Sequence, residues 1–121
     1  MNPKAFLAWQ WQDYARNHQD PANLVIHLVA VPMFIVGSLL APLALLGAHF
    51  VWAALGAALF VASLMLQGWG HKRERFAPPP FKNRADFWIR LFAEQYITFP
   101  RLVLHGLRLR PQTPDAEKGV H

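Results

Sequence analysis

The chain contains no cysteine. Disulfides and thiolate ligands are therefore excluded, and any metal site must draw on His, Asp, Glu or water. Charge is scarce as well: 16% of residues are charged, below the usual soluble share, while 54% are hydrophobic. No Lys or Arg occurs between Arg16 and Lys72, and the one acid in that gap is Asp20. A cleavable leader is not expected, because the first twenty residues are polar and aromatic and lack an apolar core. No internal repeat is evident, and 121 residues suffice for one domain.

What charge there is lies to one side. The net charge is +5, and Lys72 to Arg110 holds nine basic residues against Glu74, Asp86 and Glu94. A basic cluster against an apolar, uncharged centre is the pattern of a membrane protein with its basic flank in the cytosol. A nucleic-acid binder would rarely carry so long an apolar centre, so no nucleic-acid partner is expected.

Residues 5–18 read as a short amphipathic helix. Phe6, Trp9 and Tyr14 form an aromatic side, with Gln10, Gln12, Asp13 and Arg16 on the polar one. Asp20-Pro21 ends it and starts another helix, with Asp20 as N-cap. Residues 24–46 are apolar apart from His27 and Ser38, and at about 1.5 Å per residue they reach roughly 34 Å, enough to span a bilayer. Pro32 and Pro42 are expected to kink this helix. Gly47-Ala48-His49 is the turn, and residues 50–69 form a second span. Small residues four apart, Gly37/Ala41 and several Ala pairs of 53–62, would let the helices approach closely. The alternative is a buried hairpin in a soluble helical protein.

Beyond Glu74, Pro78-Pro79-Pro80 forces an extended segment. A helix is expected over 85–98, with Phe87, Trp88, Leu91, Phe92, Gln95 and Tyr96 on one broad face and Arg90 paired with Glu94 four residues on. Phe99-Pro100-Arg101 should interrupt it before a last interfacial helix over 101–109. The fold class expected is all-α: an integral membrane helical hairpin of two spans with flanking amphipathic interfacial helices. Residues 1–110 would form one membrane-embedded domain and 111–121 a mobile polar tail.

Histidines carry the candidate chemistry. His71 and Glu74, three apart, would share a helix face and suit one metal ion or a proton relay. Folding the hairpin about Gly47-Ala48 brings His27 level with position 69, close to His71. An ionisable group one turn inside a span is usually functional. The break at Pro21 lets His18 fold back towards His27, with Tyr14 and Asn23 as supporting donors. The residues leave open a metal site or a hydrogen-bonded cluster at His18, His27, His71 and perhaps Glu74, roofed by the 85–98 helix. His49 reads as loop, His105 as a helix-end residue and His121 as tail.

These same residues carry a resemblance. The order Tyr14-x3-His18-x4-Asn23-x3-His27-x4-Pro32, two apolar spans, then Gly70-His71-x2-Glu74-x3-Pro78, resembles a family of small membrane proteins over about residues 6–108. That family was long catalogued as a domain of unknown function and includes the yeast endoplasmic-reticulum 2-hydroxy fatty acid dioxygenase of phytosphingosine breakdown. Ala30 stands where the family often has Gly.

The resemblance implies an iron(II)-dependent dioxygenase that shortens a 2-hydroxy fatty acid by one carbon (fatty acid α-oxidation), with molecular oxygen and a fatty acyl lipid as partners. It implies His18, His27 and His71 as metal ligands with Glu74 in the motif, and gives Glu94 a catalytic place near a late acidic position. The location implied is a bacterial inner membrane or endoplasmic reticulum, with both termini cytosolic; homo-oligomerisation is left open. The competing readings are a non-enzymatic membrane lipid-binding or assembly protein with structural histidines, and a zinc-dependent membrane hydrolase.

Overall fold

The computed structural model describes residues 2–14 and 18–105. Among them there are helices and no strands: α1 (Pro3–Tyr14), α2 (Pro21–Leu46), α3 (Phe50–His71), α4 (Arg84–Ala93), a π-helical turn (Glu94–Thr98) and α5 (Phe99–Leu104). The expected mobile tail, and the end of the expected 101–109 helix, fall outside the described residues. The chain divides into two compact units, Asp20–Glu74 and the segments on either side of it, Met1–Gln19 with Arg75–His121.

The first unit is the expected antiparallel hairpin of α2 and α3. Asp20 caps α2 as anticipated: its Oδ1 accepts from the N–H groups of Ala22 at 2.8 Å and Asn23 at 3.2 Å, with Pro21 in the first turn. The helix runs through Pro32 and Pro42 without ending. Both helices are long and apolar enough to cross a membrane. Their large apolar side chains, Leu43, Leu46, Val51, Trp52 and Met65 among them, are exposed. A soluble core helix would turn such residues inward, so the pattern suits lipid outside the hairpin.

Contact along the hairpin is made by small residues. A Cβ added to Gly37 would stand 2.6 Å from the Gly56 carbonyl oxygen; one added to Gly56 would stand 2.6 Å from the Ala41 backbone nitrogen. Gly37 and Ala41 therefore act as the sequence suggested. Their partner is Gly56; Ala54, Ala57 and Ala58 are exposed. Below this crossing the Phe34 and Phe60 rings meet at 4.8 Å, and Ser63 Oγ donates to the Ala30 carbonyl at 2.5 Å. At the turn, Gly47 donates to the Leu43 carbonyl at 3.2 Å and Ala48 to the Leu45 carbonyl at 3.1 Å, which closes α2. The left-handed residue is Ala48, with φ 57°.

Three expectations about α3 and beyond are corrected. First, α3 stops at His71, so Glu74 lies in the following turn and not on a helix face shared with His71. Second, Pro100 does not interrupt the last helical stretch. The chain widens into a π turn just before it, with the Phe99 N–H reaching back to the Glu94 carbonyl, and Pro100 enters at the start of α5. A missing N–H is tolerated there. Third, the broad 85–98 face divides. Gln95 is fully buried, whereas Trp88, Phe92 and Tyr96 are exposed.

In the second unit, α1 packs on the π turn through polar groups. Gln10, expected on the outer face, is buried; its Nε2 donates to the Arg90 carbonyl at 2.9 Å and its Oε1 accepts from the Thr98 hydroxyl. A buried amide must be paired, and this one ties α1 to two points of the long helix. Arg90 pairs with Asp86 at 3.4 Å, not with Glu94. Asp86 also accepts from the Lys82 N–H at 3.0 Å, and that bond, helped by Arg90, holds its carboxyl below the usual carboxylate range.

Two substitutions test this account. Gly56→Leu drives a side chain into the Ala41 backbone, and the hairpin should lose about 1–3 kcal/mol of unfolding free energy, read by denaturant titration in detergent. Ala48→Gly relieves about 1–2 kcal/mol of left-handed strain at a flexibility cost of about 0.5–1 kcal/mol. It should raise the same free energy slightly, whereas Ala48→Val should lower it.

Candidate functional site

Two imidazoles come together inside the hairpin unit. His27 is fully buried one and a half turns into α2, and its ring meets that of His71, the last residue of α3, edge to face at 5.0 Å. A ligand nitrogen of each lies within 4.8 Å of the other, the reach of one shared ion. The expected level pairing of His27 with the end of α3 is therefore what the helices adopt. His27 Nδ1 donates to the Asn23 carbonyl at 2.9 Å. A carbonyl can only accept, so Nδ1 carries a proton, and in the neutral ring Nε2 is the lone-pair nitrogen.

Glu74 has a different neighbourhood from the one expected. Its carboxylate accepts from the Asp20 N–H at 3.0 and 3.2 Å and from the Asn23 side-chain amide at 2.5 Å. It thus clamps the start of α2 to the chain leaving α3. Arg73 stands 3.7 Å from Asp20 across the same junction. Gly70 makes the clamp possible, because Asn23 Oδ1 occupies the space a Cβ would need there.

A polar track leads inward from His71. Gln67 Nε2 donates to Ser63 Oγ at 3.0 Å, and Ser63 passes on to the Ala30 carbonyl. Both side chains are buried. Sequence reasoning passed over these two residues, although the spacing Ser63, Gln67, His71 was legible: residues four apart share a helix face. Polar groups deep in an apolar helix are costly unless paired, and here they are.

The remaining pair belongs to the second unit. His18 is buried, and its Nε2 lies 3.2 Å from Glu94 Oε1. Its Nδ1 donates to the Tyr14 carbonyl at 2.9 Å, the same four-residue back-bond that His27 makes. The Tyr14 ring stacks on the His18 ring, 3.6 Å apart and 9° from parallel, and its hydroxyl donates to Glu94 Oε1 at 3.1 Å. Tyr14, expected as a supporting donor, therefore holds both partners of the pair. Glu94 owes its position to the π turn that it opens, and π turns recur at functional sites.

His105 shows what the back-bond alone means. Its Nδ1 donates to the Arg101 carbonyl at 2.8 Å, but it is exposed at the end of α5 and its ring lies against Trp11. It is the helix-end residue expected. What sets His18 and His27 apart is burial with a second ligand-type group opposite.

Comparison with curated proteins and with solved structures found no match. A family model does match, over residues 5–98, a range that takes in both histidine pairs, the hairpin and the π turn. The chain belongs to the 2-hydroxy-palmitic acid dioxygenase Mpo1-like family.

Proposed function

We propose that this chain is an iron(II)-dependent membrane dioxygenase that shortens a 2-hydroxy fatty acid by one carbon, with His18, His27, His71 and Glu94 as the donor set for one ion. The observation that carries the metal reading is the state of the two buried imidazoles. Each donates its Nδ1 proton to a backbone carbonyl, which in the neutral ring leaves Nε2 as the ligating nitrogen on the other side. That is how ligating histidines are commonly oriented. For His18 the atom opposite is a carboxylate oxygen at 3.2 Å, a distance that calls for a positive charge between them, a proton or a metal ion.

Chain geometry supports one shared ion. Asp20 and Glu74 are hydrogen-bonded, so the chain enters and leaves the hairpin at neighbouring points. His18 precedes the entry by two residues and His71 precedes the exit by three. Three imidazoles and a carboxylate suit iron(II) and leave room for further ligands. Iron(II), when bound, supplies redox chemistry towards molecular oxygen that no side chain here can supply.

In this reading the carboxylate role passes to Glu94, while Glu74, engaged by Asp20 and Asn23, holds the helix ends in register. Tyr14 fixes the His18 ring by stacking and Glu94 by its hydroxyl. Asn23 fixes the His27 tautomer through its carbonyl and the clamp through its amide. Lys72, Arg73 and Arg75 follow α3 directly, and a basic flank of this kind supports a cytosolic setting for this end of the hairpin and for both termini. An acyl tail can then stay in lipid while its carboxylate and 2-hydroxyl reach the polar end.

Anaerobic purification in detergent with elemental analysis tests the assignment. Iron near one equivalent, with oxygen uptake on 2-hydroxypalmitate but not on palmitate, is the expected result; zinc without oxygen uptake would favour a hydrolase. A chelator should lower the melting temperature of the wild type and leave His27→Ala unmoved, since a ligand of the folded state stabilises it. Equal shifts in both would remove His27 from the site. Tyr14→Phe keeps the stack but loses the hydroxyl, and iron affinity should fall about 10- to 100-fold.

A further inference from the structure

Arg90 is a long basic side chain that the proposed reaction does not use, and it is buried. Its guanidinium donates to the Pro79 carbonyl at 2.7 Å and the Pro80 carbonyl at 3.1 Å, and faces Asp86. Aromatic faces cover it, Phe81 at 4.2 Å and Trp9 at 5.3 Å. It is therefore a fixed pin, which fastens the extended proline segment to α4 and to α1. A proline segment cannot close its own hydrogen bonds, and here one side chain satisfies two of its carbonyls.

Pinned in this way, the segment lines a half-open cavity of about 570 Å³, within the usual range for small-molecule sites. Phe6, Trp9, Pro79, Pro80 and Ile89 make its walls, and Lys82 stands at its edge. The charges present are Arg90, Asp86 and Lys82. Asp86 pairs with Arg90 and also feels the Lys82 charge. The Lys82 ammonium makes no hydrogen bond or ion pair among the described residues. With one acid against two bases, the cavity combines apolar walls with a net positive charge. A cationic ligand is disfavoured, because the Trp9 face already carries Arg90 and the edge carries Lys82.

We propose that this cavity binds a single-chain fatty carboxylate, with the alkyl chain along Phe6, Trp9 and Ile89 and the carboxylate at Lys82. The choice of occupant rests on the acyl-acting function proposed above; the cavity and its charge do not. It lies wholly within the unit that holds α1 and α4, so it takes an acyl chain without help from the hairpin.

Tryptophan quenching tests this. In detergent-solubilised full chain, a variant keeping only Trp9, the other tryptophans replaced by Phe, is titrated with dibrominated palmitate. A variant keeping only Trp52, which is exposed on α3, is the control. Trp9 quenching should saturate, reverse with palmitate and resist hexadecylamine, while Trp52 quenching rises without saturation. Lys82 is exposed, so Lys82→Glu should spare the fold and raise the half-saturation concentration about five- to tenfold.

Equal, unsaturating quenching at both tryptophans would overturn the proposal, as would an unchanged half-saturation in Lys82→Glu. Dibrominated phosphatidylcholine quenching Trp9 as strongly as the free acid would also overturn it, by making the cavity a bilayer contact. Palmitate lacks the 2-hydroxyl and binding is read without turnover. Saturable binding by a wild-type chain that shows no oxygen uptake on 2-hydroxypalmitate would therefore sink the reaction and spare the cavity; oxygen uptake without saturable binding at Trp9 would sink the cavity alone.

Discussion

One carboxylate holds the hairpin's polar end in place. Glu74 accepts from the Asp20 backbone and from the Asn23 amide. Two apolar helices in lipid have little hydrophobic reason to choose one register over another, because lipid tails are as apolar as the helices. The glycine crossing at Gly37 and Gly56 sets their distance. The Glu74 clamp sets how α2 begins relative to where α3 ends, and so brings His27 and His71 edge to face. Asn23 joins the two effects: its side chain serves the clamp and its carbonyl holds the His27 tautomer.

The second unit solves a similar problem with a different device. An ordinary α-helix carried through Pro100 would set the ring against the preceding turn. The π turn at Glu94–Thr98 takes up that strain and changes which residues face inward. Gln95 and Thr98 turn into the packing, and Glu94 turns to Tyr14 and His18. A backbone irregularity that a proline makes necessary thus also presents a carboxylate to an imidazole.

Much of the hairpin was legible in the chain itself. Uncharged apolar runs, the Asp20-Pro21 start and the glycine turn are local signals, and a simple level count brought His27 to the end of α3. The role of Glu74 was not legible. Reading it on a helix face with His71 assumed that α3 continues, and nothing local marks its end at His71. Arg90 and Glu94 misled for a related reason. Four residues apart they look like a pair, yet carbonyls of a distant proline segment and Asp86 compete for the guanidinium and win.

The sequence by itself determined an all-helical chain with two helices apt for a membrane, and singled out two histidines, His18 and His27, that prove to be buried, because apolar runs and proline breaks act locally. Only the tertiary structure decided which carboxylate faces a histidine and which clamps a helix end. It also decided that Gln10 and Gln95 are interior and that Arg90 is a pin. Those outcomes depend on competition among partners far apart in the chain, and a hydrogen bond goes to whichever partner the packing presents.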